Sequence, residues 1–277
     1  MTTGVIVEKI VSLERKELEP YRTLRRPVEH MEQGIFVAEG EKVVRRLLAS
    51  DLSVVSMLMT QEWYEGILSL FHQSINPFSD KQQVQVFIAD KNLLEKIVGY
   101  NLHQGIMAVA KLPSERSLDE TIASIAGPYV RVALDGLVNA ENVGVIMRNC
   151  AAFGVHAVIV GETSSSPYLR RAVRNSMGAV FQIPVVHVKK LAGALTSLRK
   201  QFQCRIIAAD GNADVHIHQT NFSGNICIVF GNEDGGISRD VLSVCSERVS
   251  IPMDNGTDSL NVANASAVFF YEARKQR

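Results

Sequence analysis

Two hydrophobic periods alternate along the chain. Short runs of consecutive or alternating apolar residues, among them SVVSMLMT (53–60), QVQVFIAD (83–90), YVRVALDG (129–136) and ICIVFG (226–231), have the length and β-branched content of strands. Stripes with helical spacing separate them, as in EKVVRRLL, where Val43, Val44, Leu47 and Leu48 share one face. After a basic opening that reads as helical, GIFVAEGEKVVRRLLASDL (34–52) predicts a strand at Ile35–Ala38, a turn at Gly40 and that helix. The helical stretches QEWYEGILSLFHQS and KNLLEKIVG then alternate with the strands SVVSMLMT, QVQVFIAD and HQGIMAVAKL, closing an α/β unit near Lys111.

PSERSLDETIASIAGP (113–128) is polar and bounded by prolines, the composition of a linker carrying a short helix. Beyond it the strands YVRVALDG, AVIVG, FQIPVVHV, CRIIAAD, ICIVFG and RVSIP interleave with helices. The helices fall at NVGVIMRNCAAF, near YLRRAVRNS, at KKLAGALTSLRKQF, at ISRDVLSVC and at the C-terminus. Strands this evenly apolar need cover on both faces, so the pattern predicts an α/β fold with a mostly parallel sheet between helices. The expected division is an N-terminal domain over 1–111, a linker over 112–128 and a larger domain over 129–277. In such sheets ligands bind outside the carboxyl ends of the strands, and three of those ends carry unusual polar loops.

The first loop leads into NVGVIMRNCAAFG (142–154), with Asn142 placed as N-cap and Gly154 just past the helix end. Ile146, Cys150 and Phe153 form an apolar face, whereas Arg148 neighbours Gly144, Ala151 and Ala152. A cation framed by small residues approaches another surface closely; the plain alternative is a solvent-exposed arginine. The second loop, after ICIVFG, is Asn232-Glu233-Asp234-Gly235-Gly236 with Ser238 as a cap. Its glycines suit close approach or a simple turn, and their spacing fits neither GxGxxG nor GxxxxGK[ST], which argues against a nicotinamide enzyme or a nucleoside triphosphatase. In the third, IPMDNGTDSLNVANAS, Ser259 or Asp258 would cap the last helix. Asn261 and Asn264 would then lie inside it, where asparagine is unfavourable; a buried hydrogen bond and a loop anchor each explain them.

Of the 277 residues 46% are hydrophobic and 21% charged, a globular composition, and 29 Lys+Arg balance 29 Asp+Glu. A polyanion partner would therefore be met by local clusters rather than bulk charge. No apolar run approaches a membrane span, and the N-terminus lacks a secretory pattern, so the expected compartment is the cytoplasm. Cys150, Cys204, Cys227 and Cys245 are far apart in apolar surroundings and read as buried free thiols. His216 and His218 alternate in VHIHQ, as on one face of a surface strand, and no third ligand accompanies them, so no metal site is expected.

In order and spacing, NVGVIMR (142–148), VFGNEDGGIS (229–238) and IPMDNGTDSLNVANA (251–265) resemble the three signature motifs of the SpoU/TrmH-type RNA ribose 2′-O-methyltransferases of the SPOUT superfamily. GIFVAEGEKVVRRLL and HQGIMAVAK are similar to the small L30e-like substrate-binding domain that many of these enzymes carry. Many members have Asp-Pro just ahead of the first motif, where this chain has Asn139-Ala140. The resemblance implies a C-terminal sheet with a deep trefoil knot, a homodimer, and S-adenosylmethionine bound against Gly231, Ile251, Met253 and Leu260 without a metal. It implies catalytic roles for Arg148, Asn142, Glu233, Ser259 and Asn261 in methyl transfer to a ribose 2′-hydroxyl of rRNA or tRNA.

Arg148 matches the family arginine often proposed as base. The persistent charge of a guanidinium suits it better to holding an RNA phosphate and stabilising the nascent alkoxide, with base action left open. Three basic clusters, Arg22/Arg25/Arg26, Lys42/Arg45/Arg46 and Arg170/Arg171/Arg174, are candidates for phosphate contact. The rival reading is a non-catalytic RNA-binding scaffold of the same fold, against which stands the retention of Arg148, Glu233 and Asn261 together. Asn264 has no assigned role.

Overall fold

The stripe Val43, Val44, Leu47 and Leu48 is buried along its whole length, as its period requires, and the helix that carries it starts right after Gly40 at φ +95°. Residues 5–73, 83–98, 105–123, 127–254, 256 and 259–277 are described by a computed structural model. It forms two units: Met1–Ser114 with Tyr168–Phe181, and Glu115–Pro167 with Gln182–Arg277.

The first unit runs β1 (Val5–Lys9), α1 (Glu19–Arg22), α2 (Pro27–Glu32), β2 (Ile35–Glu39), α3 (Glu41–Leu48), β3 (Val54–Met59), α4 (Gln61–Gln73), β4 (Val84–Ile88), α5 (Lys91–Val98) and β5 (Ile106–Lys111). Its sheet has the order β1-β4-β3-β5-β2, with β1 and β3 parallel to β4, and β5 antiparallel to β3 and β2. The opening is thus not helical throughout. VIVEK is an edge strand whose residues are largely exposed, so it lacks the apolar alternation by which a strand is recognised.

The second unit contains α6 (Leu118–Ala123), β6 (Val130–Asp135), α7 (Ala140–Phe153) and β7 (Ala157–Val160), and resumes after α8 (Arg170–Asn175) with β8 (Val185–His187) and α9 (Leu191–Phe202). It ends with β9 (Arg205–Ala209), β10 (Ile226–Gly231), α10 (Arg239–Val244), β11 (Glu247–Val249) and α11 (Val262–Lys275). All six strands are parallel, in the order β11-β9-β10-β6-β7-β8. β6 and β10 are buried at every position, in keeping with a sheet covered on both faces. α7 packs on α11, where the Asn149 amide donates to Ala263 O and Ser266 Oγ, both 2.9 Å. Pro184 cannot donate to a ladder, so FQIPVVHV yields only Val185–His187 as strand, preceded by a 3-10 turn at Ala179–Gln182.

Two further expectations change. VHIHQ is not a strand: His216 opens a 3-10 turn at Ile217–Gln219, and its Nδ1 lies 2.9 Å from Ser250 Oγ. The segment around α8 belongs to the first unit, where α8 packs on β2 and the Arg170 and Arg174 guanidinium groups pair with Glu39. Those two cations are neutralised locally, as are Arg22 by Glu14, Arg26 by Glu29 and Arg45 by Glu41. The four cysteines are unbonded. Burial pushes the Cys204 and Cys245 thiols up to about 11, and those of Cys150 and Cys227 further, so none is an activated nucleophile.

One buried group is out of keeping with its surroundings. Arg131, in the middle of the sheet, is fully buried, and none of its side-chain nitrogens has a hydrogen-bond acceptor. Its guanidinium stacks on the Tyr129 ring with 3.4 Å from carbon to centroid. Cation–π attraction offsets only part of the desolvation of a charge. Arg131→Met is therefore expected to stabilise the fold by about 1–4 kcal/mol, the range for replacing buried charges by apolar side chains. Thermal denaturation checks this, and a lower melting temperature in the variant would count against it.

Candidate active site

β11, β9, β10 and β6 lie side by side, and the carboxyl ends of β6, β10 and β11 lead into the three polar loops. Beyond β10 the chain folds back on itself, with Asn232 and Gly236 exchanging both backbone hydrogen bonds at 2.9 Å. The Asn232 side chain fills the turn. Its Oδ1 accepts from the Asp234 and Gly235 amides at 2.9 Å, while Nδ2 donates to Gly136 O at 2.8 Å and ties the loop to the end of β6. A Cβ on Gly231 would lie 2.3 Å from Gly236 C and Ile237 N. Glycine is required there by the loop's own return. Asp135, buried at the end of β6, accepts the Ser238 amide through Oδ2 at 2.7 Å; Ser238 stands at the N-cap of α10 but makes no side-chain cap bond.

Both helices facing this loop are capped by asparagine, at positions other than those expected. Asn139, not Asn142, caps α7, its Oδ1 accepting from Glu141 N at 2.8 Å and Asn142 N at 3.4 Å. Asn139 has the extended backbone of an N-cap, and Asn142 sits in the first turn with its side chain released from capping. Asn261 caps α11, its Oδ1 accepting from Ala263 N at 2.9 Å. Ser259 does not cap the helix, and Asp258 lies outside the described residues. The helix penalty expected of Asn261 therefore does not arise, because asparagine is among the best residues at an N-cap. Asn264 is exposed within the helix.

The two caps bring the three loops together. Asn261 Nδ2 donates to Asn142 Oδ1 at 3.1 Å, and Asn142 Nδ2 donates to Glu233 Oε1 at 2.6 Å. Because Asn261 Oδ1 is committed to a backbone N–H, both amide orientations in this chain are determined.

Next to it opens a cavity of about 480 Å³. Gly231, Ile251, Met253 and Leu260 all line it, as do Glu233, Ser259 and Asn261, with Phe230, Ile237, Val249 and Phe269 supplying apolar wall. Asp210 lines it too, but its Oδ2 is held by Arg248 Nε and Nη2, both at 2.7 Å, and its Oδ1 by Asn212 N at 3.0 Å. Arg148 is exposed on α7 and does not line the cavity. Asn142 likewise stands outside the lining and reaches it through Glu233 and Asn261.

The SpoU rRNA methylase family matches residues 129–271. The chain belongs to this family. It is 30% identical to an uncharacterised tRNA/rRNA methyltransferase of Mycobacterium bovis, over 97% of this chain and 92% of that protein. It is 32% identical to the Escherichia coli 23S rRNA (guanosine-2′-O-)-methyltransferase RlmB, over 72% of this chain and 82% of that protein. The fold is shared with the SpoU methyltransferase AviRb from Streptomyces viridochromogenes (TM-score 0.78, 24% identity, 94% of this chain and 96% of that one). It is also shared with an AdoMet-bound rRNA methyltransferase from Sinorhizobium meliloti (TM-score 0.80, 21% identity, 97% and 98%).

In this SpoU family member, Asn139, Asn149 and Asn232 are structural parts of the site that sequence reasoning passed over. Asn139 had a signal, an asparagine just before a helix whose first turn holds Glu141. Asn149 and Asn232 had none, since their partners are distant in sequence.

Two substitutions test this construction. Asn261→Asp keeps the cap acceptor but loses the donor to Asn142, so it should leave stability within about 0.5 kcal/mol, whereas Asn261→Ala should lose about 1 kcal/mol. Denaturant titration of both variants decides it; equal losses would remove the cap from the account. In Gly231→Ala the methyl group must displace the 232–236 loop, and we expect at least tenfold weaker binding of S-adenosylhomocysteine by calorimetry. An unchanged affinity would show that the loop tolerates the shift.

Proposed function

We propose that the cavity holds S-adenosylmethionine and that the Asn261–Asn142–Glu233 chain beside it organises methyl transfer to a ribose 2′-hydroxyl of rRNA or tRNA. The protein is an S-adenosylmethionine-dependent RNA 2′-O-methyltransferase of the SpoU family. The observation that carries the site assignment is that the second and third signature motifs line one cavity, while Asn142 of the first is hydrogen-bonded to their Glu233 and Asn261. Its volume falls within the roughly 300–1,000 Å³ usual for cofactor-sized ligands. Its lining combines apolar side chains with polar groups and a turn of closely packed backbone, which fits an adenosine held by main-chain groups.

When bound, S-adenosylmethionine supplies a methyl group on a sulfonium, activated for attack by an oxygen nucleophile. Ile251, Met253 and Leu260 would pack on the adenosine, and Gly231 would keep the loop backbone close to it. Ser259 and Asn261, at the end of the third loop, orient the ribose. Asn142 holds the Glu233 carboxylate. Arg148 is exposed on α7, where its guanidinium would bind an RNA phosphate. Attack in line at the methyl carbon depends above all on such positioning.

The wider organisation extends this reading. The parallel order β11-β9-β10-β6-β7-β8, with the chain after β9 bonded along the exit of β11 through His216 and Ser250, supports a trefoil-knotted C-terminal domain over 129–277. The five-stranded first unit supports an L30e-like RNA-binding domain over 1–111, joined by a linker over 112–128. Val268 and Tyr271, exposed on α11, offer apolar surface for a second copy in a homodimer. No described helix is long and apolar enough to cross a membrane, in keeping with a cytoplasmic enzyme working on RNA.

Arg148→Ala is expected to lower methyl transfer by at least 100-fold while S-adenosylmethionine affinity stays within about twofold, measured by tritiated-methyl transfer and calorimetry. Near-normal turnover would remove Arg148 from the mechanism, and failure of the unaltered protein to bind the cofactor would favour the scaffold. Mapping ribose methylation in total RNA with and without the gene identifies the nucleotide.

A further inference from the structure

We infer that Glu233 accepts the proton of the ribose 2′-hydroxyl during methyl transfer, with Asn142 as the residue that aims it. The inference rests on the cavity being the methyl-transfer site. Three described carboxylates line that cavity: Asp210, Glu233 and Asp234. Asp210 is already engaged by a two-pronged Arg248 contact and a backbone amide, so it is neutralised and fixed in the wall. Asp234 is exposed at the tip of the turn, with its backbone amide, not its carboxylate, bound by Asn232. Glu233 is the one of the three that is oriented by a second motif. Its Oε1 receives the Asn142 amide at 2.6 Å, and Oε2 has no hydrogen bond among the described residues.

The chemistry needs a weak base rather than a strong one. As the ribose oxygen forms its bond to the methyl carbon, the carbon–sulfur bond breaks and its electron pair returns to sulfur, which leaves the sulfonium neutral. Positive charge moves to the ribose oxygen, whose hydroxyl becomes the very acidic proton of an O-protonated ether. That proton passes to Oε2 of Glu233 and from there to water. A carboxylate has lone pairs for it; a guanidinium is a donor only and has none, which leaves Arg148 the role of holding an RNA phosphate. Asn142 donates to Oε1 while its own oxygen accepts from Asn261. It fixes which carboxylate oxygen faces the substrate.

Glu233→Gln keeps the size and the acceptor for Asn142 while removing the proton acceptor. We expect its single-turnover methyl transfer to fall by at least 100-fold, within the range for losing a general base. S-adenosylmethionine affinity by calorimetry and RNA affinity by filter binding should stay within about threefold. Added formate should restore part of the rate to Glu233→Ala, and Asp240→Asn, at an exposed carboxylate of α10 outside the lining, should retain near-normal turnover. Turnover within threefold of the unaltered enzyme in Glu233→Gln would overturn the inference, as would loss of cofactor binding in that variant or an Asp240→Asn defect of the same size. Absence of formate rescue would also count against a direct proton transfer. Should Glu233→Gln fail to fold, Glu233→Ala with formate decides alone. Failure of the unaltered enzyme to bind S-adenosylmethionine would instead sink the underlying site assignment, so the two failures are distinguishable.

Discussion

The site depends on the two ends of a single amide. Asn261 commits its oxygen to the Ala263 N–H in the first turn of α11 and offers its nitrogen to Asn142. Asn142 must then accept with its oxygen and donate with its nitrogen, which requires an acceptor, and Glu233 provides it. Reversing either amide would set donor against donor or oxygen against oxygen. Three loops from distant parts of the chain are thus locked in one polarity by the geometry of a helix cap.

That lock stands on strand ends that are tied to one another. β6 and β10 are parallel neighbours, so their loops leave the sheet in the same direction and at adjacent positions. Asn232 ties one to the other, Asp135 ties β6 to the start of α10, and Gly231 lets the turn close against itself. Asn149 performs the same service between the helices, holding α7 to α11 from the opposite end of the polar chain. Each functional loop is therefore anchored by a residue that takes no part in the proposed chemistry.

How much of this could be read in advance follows from the range of the forces involved. Uniform strands such as ICIVFG and the stripe of α3 announce themselves, because burial on one or two faces imposes a short period on the sequence. VIVEK did not, since an exposed edge strand is selected by its backbone pairing with β4 rather than by its side chains. The caps lie a few residues from where residue type alone places them: Asn142 and Ser259 or Asp258 are cap formers by type, whereas the φ/ψ that distinguishes a cap from a first-turn residue puts Asn139 and Asn261 there. The costly asparagines were legible as an anomaly, but their resolution lay in a bond between Asn261 and Asn142, 119 residues apart, that no local pattern encodes. Arg131 was similarly silent, because a single charge in an apolar strand changes no period.

The placement of charge around the cavity also decides what each carboxylate can contribute. Methyl transfer carries positive charge from the sulfur to the attacking oxygen and its proton. A bare carboxylate beside the sulfur would therefore stabilise the ground state more than the transition state, and would slow the reaction. Asp210, half-buried in the wall, is offset by Arg248 and exerts little such pull. Glu233 stands on an exposed turn at the end of the polar chain, with an amide on one oxygen only. Under the mechanism we propose, that difference between the two acids, one paired and one half-free, matches the direction of charge flow in the reaction.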